Sequence, residues 1–173
     1  KEEEKRFSNK YLREHFLTSV YILAQFRVLK KNKPSFSELY KFQAKNKYLF
    51  LTYNQVQMRK LGKLAANHSN HSIDKILEEY ESILFKLIRR KASFRSNLNT
   101  LEHVFGHFSK KLKQKERSFF FKIMDEYENK KIPLSSICNL IFSWAIRFND
   151  DYIMNQSYFR PFPIELIENQ DNK

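Results

Sequence analysis

The 173-residue chain has two glycines, four prolines and one cysteine. Sheets and barrels place glycine and proline at their many turns, so this scarcity argues against a β-rich fold. The lone Cys138 permits neither an intrachain disulfide nor a cysteine-rich zinc or iron–sulfur site. Set in "ICNLIFSW", it reads as a small apolar residue rather than a reactive thiol. No apolar run approaches the roughly 18 residues of a membrane span, and the charged opening "KEEEKRF" is not a signal peptide. A reducing, cytoplasmic setting is the expectation. Glycine-rich phosphate loops, nucleophile turns, zinc-finger spacings and RNA-recognition codes are missing as well.

Positive charge is what the chain has in excess. Lys and Arg number 32 against 19 Asp and Glu, a net charge of +13. An AT-rich genome would raise the lysine count, and 22 of the basic residues are Lys. Distribution is more telling than total. Residues 86–117 carry ten Lys/Arg and two Glu, residues 39–63 carry six Lys/Arg and no acid, and the remainder is nearly neutral. Charge segregated in this way attracts polyanions, nucleic acid first among them.

Helical periodicity covers most of the chain. A first helix is predicted from about Tyr11 to Leu29, with Leu12, Phe16, Val20, Leu23 and Phe26 as its apolar stripe. Ser35 and Glu38 form a capping-box pair ahead of a second helix bearing Leu39, Phe42, Leu49 and Phe50. "NQVQMRKLGKLAAN" gives a third helix. Ile76, Leu77, Tyr80, Ile83, Leu84, Leu87 and Ile88 mark a strongly amphipathic fourth, ending in "RRK". Over residues 94–112, Phe94, Leu98, Leu101, Phe105, Phe108 and Leu112 step by four and three. A sixth helix runs from about Gln114 to Asn129, and Pro133 suits the first position of a seventh that reaches Phe148. The tail "YFRPFPIEL" is expected to be extended or turn-like, because residues before proline avoid the α region. The fold expected is all-α. It is a single compact domain of about seven helices, with residues 1–34 forming a linker and first helix packed onto a domain over 35–173.

The stretch "NTLEHVFGHFSKKLK", residues 99–113, carries the main candidate site. Ser96, Asn99, His103, His107 and Lys110 project roughly opposite the apolar stripe and make a polar strip. Gly106 lies beside it. A mid-helix glycine costs about 1 kcal/mol relative to alanine, which close approach by another backbone or a ligand would offset. His103 and His107 have metal-binding spacing, but Val104 stands where a zincin has Glu, and His15, His68 and His71 offer no clear third ligand, so no metal is expected. His103 is a catalytic candidate without a carboxylate partner, since the nearest, Glu102, lies on the flank. The Phe119–Phe121 run has aromatic faces for stacking bases, yet helical geometry turns at least one or two of the three inward. Phosphate binding fits better. Lys47, Arg59, Lys60 and Lys63 would form one basic strip, and Arg89, Arg90, Lys91, Arg95, Lys110, Lys111 and Lys113 another. Asn99 and His103 would hydrogen-bond sugar or base beside Gly106.

The stretches "FQAKNKYLFLTY", "RKLGKLAAN", "EEYESILFKLI", "NTLEHVFGHFSKKL", "KIPLSSICNLI" and "NQSYFRPFPIEL" occur in the order and approximate spacing of the bacterial YbgA-like family, a domain of unknown function. The chain resembles it from about Leu39 to Leu166, most specifically in Asn99, His103 and Gly106, in Leu61 and Gly62, and from Tyr158 to Pro163. The resemblance implies an all-helical domain, found alone or fused behind a thiouracil desulfidase-type domain whose three cysteines hold an iron–sulfur cluster. It also implies that the helical part holds tRNA while the cluster removes sulfur from 4-thiouridine. "EEEKRFSNKYLREHF" looks like the junction of the fused proteins, so the expectation is the C-terminal part of a longer protein or a homologue shortened at its front. The chain departs from the family pattern at Gln43, Asn46, Tyr53 and Ser143, where His is frequent, at Met58 for Tyr and Ile137 for Pro, and at His107, where Tyr is common.

The expectation is therefore an RNA-binding accessory domain, tRNA foremost, without catalytic machinery or cofactor of its own. Any iron–sulfur cluster would sit in a desulfidase domain in cis or trans. Two alternatives stand beside it: a desulfidase active site to which this chain lends His103, and an interaction module whose basic face meets an acidic protein.

Overall fold

A computed structural model describes residues 9–66 and 71–166. Among them are eight α-helices and no strand: α1 (Lys10–Lys31), α2 (Phe36–Tyr53), α3 (Gln55–Ala66), α4 (Ile73–Ile88), α5 (Phe94–Phe108), α6 (Gln114–Glu128), α7 (Leu134–Arg147) and α8 (Asp151–Met154), followed by a 3-10 turn at Ile164–Leu166. None of these helices is long and apolar enough to cross a membrane.

Helix starts follow local chemistry. Ser35 and Glu38 make the reciprocal capping box, with the Glu38 N–H donating to Ser35 Oγ at 3.3 Å and the Ser35 N–H to Glu38 Oε2 at 2.7 Å. Ser93 and Ser96 repeat the device at α5. Asn54 alone separates α2 from α3, with extended backbone (φ −164°, ψ 110°) and its side chain accepting the Gln57 N–H at 3.0 Å. With glycine so scarce, the left-handed positions beyond helix ends fall to Lys33, Lys130 and Asn149.

α2 is the central helix, touching α1, α3, α4 and α5; α5 joins it to α7, which also packs on α6 and α8. One aromatic group gathers on the α1–α2–α4 side, where Phe26 stacks on Tyr80 (5.2 Å between ring centres) and both meet Phe42. The other lies around α5, where Phe105 stacks on Phe120 at 4.3 Å and Phe108 and Trp144 complete the cluster. All seven residues of the predicted α4 stripe are buried.

Three local expectations change. The buried face of α1 is Thr18, Ile22 and Phe26, whereas Phe16 and Val20 are 50% and 43% exposed. The helix is rotated because Phe26 must reach Tyr80 and His15 turns inward to Tyr53, Nδ1 to Oη 3.0 Å. α5 ends at Phe108, so Lys110 and Lys111 lie in a turn off the helix axis, and Leu112 is buried after that turn. Pro133 is the N-cap of α7 rather than its first residue.

The tail is held by side chains more than by its prolines. Gln156 Nε2 donates to the Ala44 carbonyl at 2.8 Å, and Gln156 Oε1 accepts the Tyr48 N–H at 3.4 Å. It thereby grips two backbone groups one helical turn apart on α2. Ser157 donates to Asn46 Oδ1 at 2.6 Å, and Tyr158 Oη to Asn97 Oδ1 at 3.0 Å. Much of "NQSYFRPFP" therefore fastens the chain end across α2 and α5.

Candidate nucleic-acid interface

The two basic segments meet in space. α3 and α4 form a helical hairpin, and the groove along it, about 590 Å³, is lined by Lys60 and Lys63 on one side and Lys86 on the other. Lys60 and Lys63 come from the first segment and Lys86 from the second, so the fold joins charges that lie far apart along the chain. Arg59, one position from Lys60, is exposed but does not line the groove.

Arg89, Arg90, Lys91 and Arg95 are exposed around the turn from α4 into α5. Arg89 is the C-cap of α4, where a cation also complements the helix dipole. Burial lowers the pKa of His15 on α1, and the positive charge of Lys91 lowers it further. Tyr53, the partner of His15, is pushed up to about 12 by burial against hydrogen bonds from Ser19 and Thr18 that act the other way.

On α5, Asn99 is half-buried and His103 exposed. Gly106 faces open space: a Cβ built there meets no atom within 4 Å. No other part of the described chain comes within 4 Å of that position, so packing of another backbone there is not the reason for glycine. Ser96 is spent on the capping box. His107 Nε2 lies 2.7 Å from Asp150 Oδ2, and Lys111 Nζ lies 3.7 Å from the same oxygen. Lys111 also sits 5.6 Å over the Phe148 ring. Burial pushes the Asp150 carboxyl up, but hydrogen bonds from the Ile153 N–H and His107, with the charges of His107 and Lys111, outweigh it and hold the group below its ordinary range. His107 is thus bound to a carboxylate, and Asn99, His103, Lys110 and Lys113 remain on the outside of this region.

Lys47 parts company with Lys60 and Lys63. Its ammonium lies 6.0 Å from the Tyr48 ring, which meets Tyr152 edge-on at 6.3 Å, and Tyr152 in turn lies 6.0 Å from the His107 ring. Lys47 therefore belongs with the α5–α8 end, where cations and aromatic rings alternate. Of the three phenylalanines 119–121, Phe120 is fully buried while Phe119 and Phe121 are half exposed.

The positions where the resemblance leads one to look for histidine serve the fold. Gln43 accepts from Tyr80 Oη at 2.5 Å and Asn46 accepts from Ser157. Ser143, exposed, returns its hydroxyl to the Leu140 carbonyl; Ile137, which stands where the family pattern has proline, is fully buried. His68 lies outside the described residues. Burial pushes the Cys138 thiol up to about 12, and a lone cysteine supplies one thiolate where an iron–sulfur cluster takes several. Among the described residues no three His, Cys, Asp or Glu side chains are grouped to hold a metal.

Sequence reasoning missed Lys86, Gln57, His71, Glu79 and Ser82 as partners of Lys60 and Lys63 in the groove. Their trace is helical spacing beside the apolar positions: Gln57, Lys60 and Leu64 step by three and four on α3, and Glu79, Ser82 and Lys86 do the same on α4. Asp150 was missed too, although "NDDY" places an acid one residue before a helix start.

The molecule is thus a basic, all-helical domain whose charged side chains gather on helix ends and in one hairpin groove. The sequence profile described as "Protein of unknown function (DUF1722)" matches residues 47–163, and the chain belongs to that family. The uncharacterized protein YbgA of Escherichia coli (strain K12) is 26% identical over 148 residues, covering 85% of this chain and 88% of that one. No solved structure matches.

Proposed function

We propose that this protein is a nucleic-acid-binding domain that grips RNA, tRNA foremost, and that it serves a desulfidase domain acting on thiolated uridine in cis or trans. The resemblance of the sequence supports the choice of tRNA and of a desulfidase partner. One observation carries the polyanion reading. Of the basic residues at issue, Lys111 is ion-paired, whereas among the described residues Lys47, Arg59, Lys60, Lys63, Arg89, Arg90, Lys91, Arg95, Lys110 and Lys113 form no ion pair with a carboxylate. Uncompensated like charges at such density repel one another, and a bound phosphate backbone relieves that repulsion while releasing counterions.

The test is a tRNA mobility-shift titration at several salt concentrations, with wild type and an Arg89→Glu/Arg90→Glu variant. Both side chains are exposed and, among the described residues, form no ion pair; Arg89→Glu gives up a favourable charge at the C-terminal end of α4, so the variant is first checked for an unchanged circular-dichroism spectrum at the assay temperature. Each phosphate contact contributes up to about 0.9 to the slope of log K against log salt, so the double variant should bind more weakly with a slope shallower by about 1 to 2. Equal affinity and slope in both proteins would overturn the assignment.

A further inference from the structure

The α3–α4 groove holds more than charge. Lys60, Lys63 and Lys86 line it together with Glu79, which among the described residues forms no ion pair with any of them. Leaving His71 aside, the groove carries three ammonium groups and one carboxylate, a net excess of two positive charges. That balance matches a phosphate monoester, or two neighbouring diesters of a strand. Leu64, Ile76 and Ile83 supply apolar lining. Its volume, about 590 Å³, is that of a small-ligand site. A site for a bare inorganic anion needs neither the apolar lining nor the carboxylate, which would repel it.

We infer that this groove binds a ribonucleoside phosphate. The lysines take the phosphate, Leu64, Ile76 and Ile83 receive the base, and Glu79 accepts hydrogen bonds from the ribose hydroxyls. A carboxylate is an acceptor only, so it distinguishes a sugar that offers a 2′-OH donor from one that does not. As one unit of a bound strand, the ligand rests on the RNA reading above; as a free nucleotide, it stands without it.

The experiment is calorimetric titration of the whole protein with four probes: a 5′-ribonucleoside monophosphate, its 2′-deoxy counterpart, inorganic phosphate, and a short single-stranded RNA. The proteins are wild type, Lys60→Ala/Lys86→Ala and Glu79→Ala, each checked for an unchanged melting temperature. The ribonucleotide should bind wild type more tightly than either the deoxynucleotide or inorganic phosphate. Removing the two lysines should weaken it about tenfold or more, and removing Glu79 should bring ribo and deoxy forms to near parity.

Binding of the single-stranded RNA together with the monophosphate supports the strand form, and binding of the monophosphate alone supports the free form. The groove assignment is overturned if wild type binds none of the nucleotides, if inorganic phosphate binds as well as the ribonucleotide, or if both variants behave as wild type. In that last case, retained salt-dependent tRNA binding leaves the RNA reading standing while the groove falls.

Discussion

His107 Nε2 and Asp150 Oδ2 lie 2.7 Å apart, tying the last turn of α5 to the N-cap of α8. Asp150 also receives the Ile153 N–H at 3.1 Å, so Asp150→Asn preserves a capping oxygen while removing the charge that His107 and Lys111 face. The variant should be less stable than wild type by about 1 kcal/mol at neutral pH. The folded-state pKa of Asp150 is depressed, so its contribution is complete above the ordinary aspartate range and is lost as pH falls through the folded value. Melting curves taken from about pH 5 downward should show the gap between the two proteins closing in acid. A gap that widens instead would mean the carboxylate is not stabilised in this pairing.

Gly106 stands in helical backbone with open space where a Cβ would be. Gly106→Ala should therefore stabilise the domain by about 0.5–1 kcal/mol, raising the melting temperature by a few degrees at about 2–4 °C per kcal/mol. If the glycine exists to let RNA come close beside Asn99 and His103, the same variant should bind tRNA more weakly despite being more stable. A variant that is more stable and binds equally well would remove Gly106 from the interface and leave the basic residues in it.

How far the sequence discloses this molecule depends on whether a residue's surroundings are local. The α4 stripe is legible because its seven apolar residues fall on one face, and burial follows from helical spacing alone. α1 is not, because apolar Phe16 and Val20 compete with a face that holds His15 and Thr18. The choice is made by Tyr53 and Tyr80 on other helices. Likewise Asn99 and His103 are visible as a polar strip, while the approach of Lys86 to Lys60 and Lys63 depends on how two helices close into a hairpin. The end of α5 is hidden because Leu112 continues the apolar rhythm although the helix has stopped at Phe108.

Cys138 lies near the Tyr158 hydroxyl, and burial raises its thiol to about 12. At pH 8 the thiolate is then only about one part in ten thousand, and the thiolate is the nucleophile. Iodoacetamide should leave the native protein essentially unmodified over a period in which the urea-unfolded chain is fully alkylated, as read by intact-protein mass spectrometry. Rapid native labelling at the same pH would show that the thiol, partly covered by its neighbours, ionises well below about 12.

Gln156 is 3% exposed, and its amide is used at both ends, donating to Ala44 and accepting from Tyr48. Gln156→Ala removes these two bonds and the longer one from Nε2 to the Tyr152 carbonyl at 3.4 Å, all of them to backbone groups within helices, so its cost should be modest, about 1–2 kcal/mol. Gln156→Glu keeps the shape but replaces the donating NH₂ with oxygen, placing a carboxylate against the Ala44 carbonyl in a buried setting. It should cost more than the alanine variant at neutral pH, about 3 kcal/mol or above. Burial would raise the pKa of that new carboxyl above its unfolded value, so the penalty applies at neutral pH and disappears as pH falls and both states become protonated. The neutral acid regains an O–H that can donate to Ala44. Chemical denaturation of both variants at about pH 7 and about pH 4 should therefore show Gln156→Glu recovering relative to Gln156→Ala in acid. A constant difference would mean that the substituted carboxyl has swung out to water and that the tail no longer docks through this position.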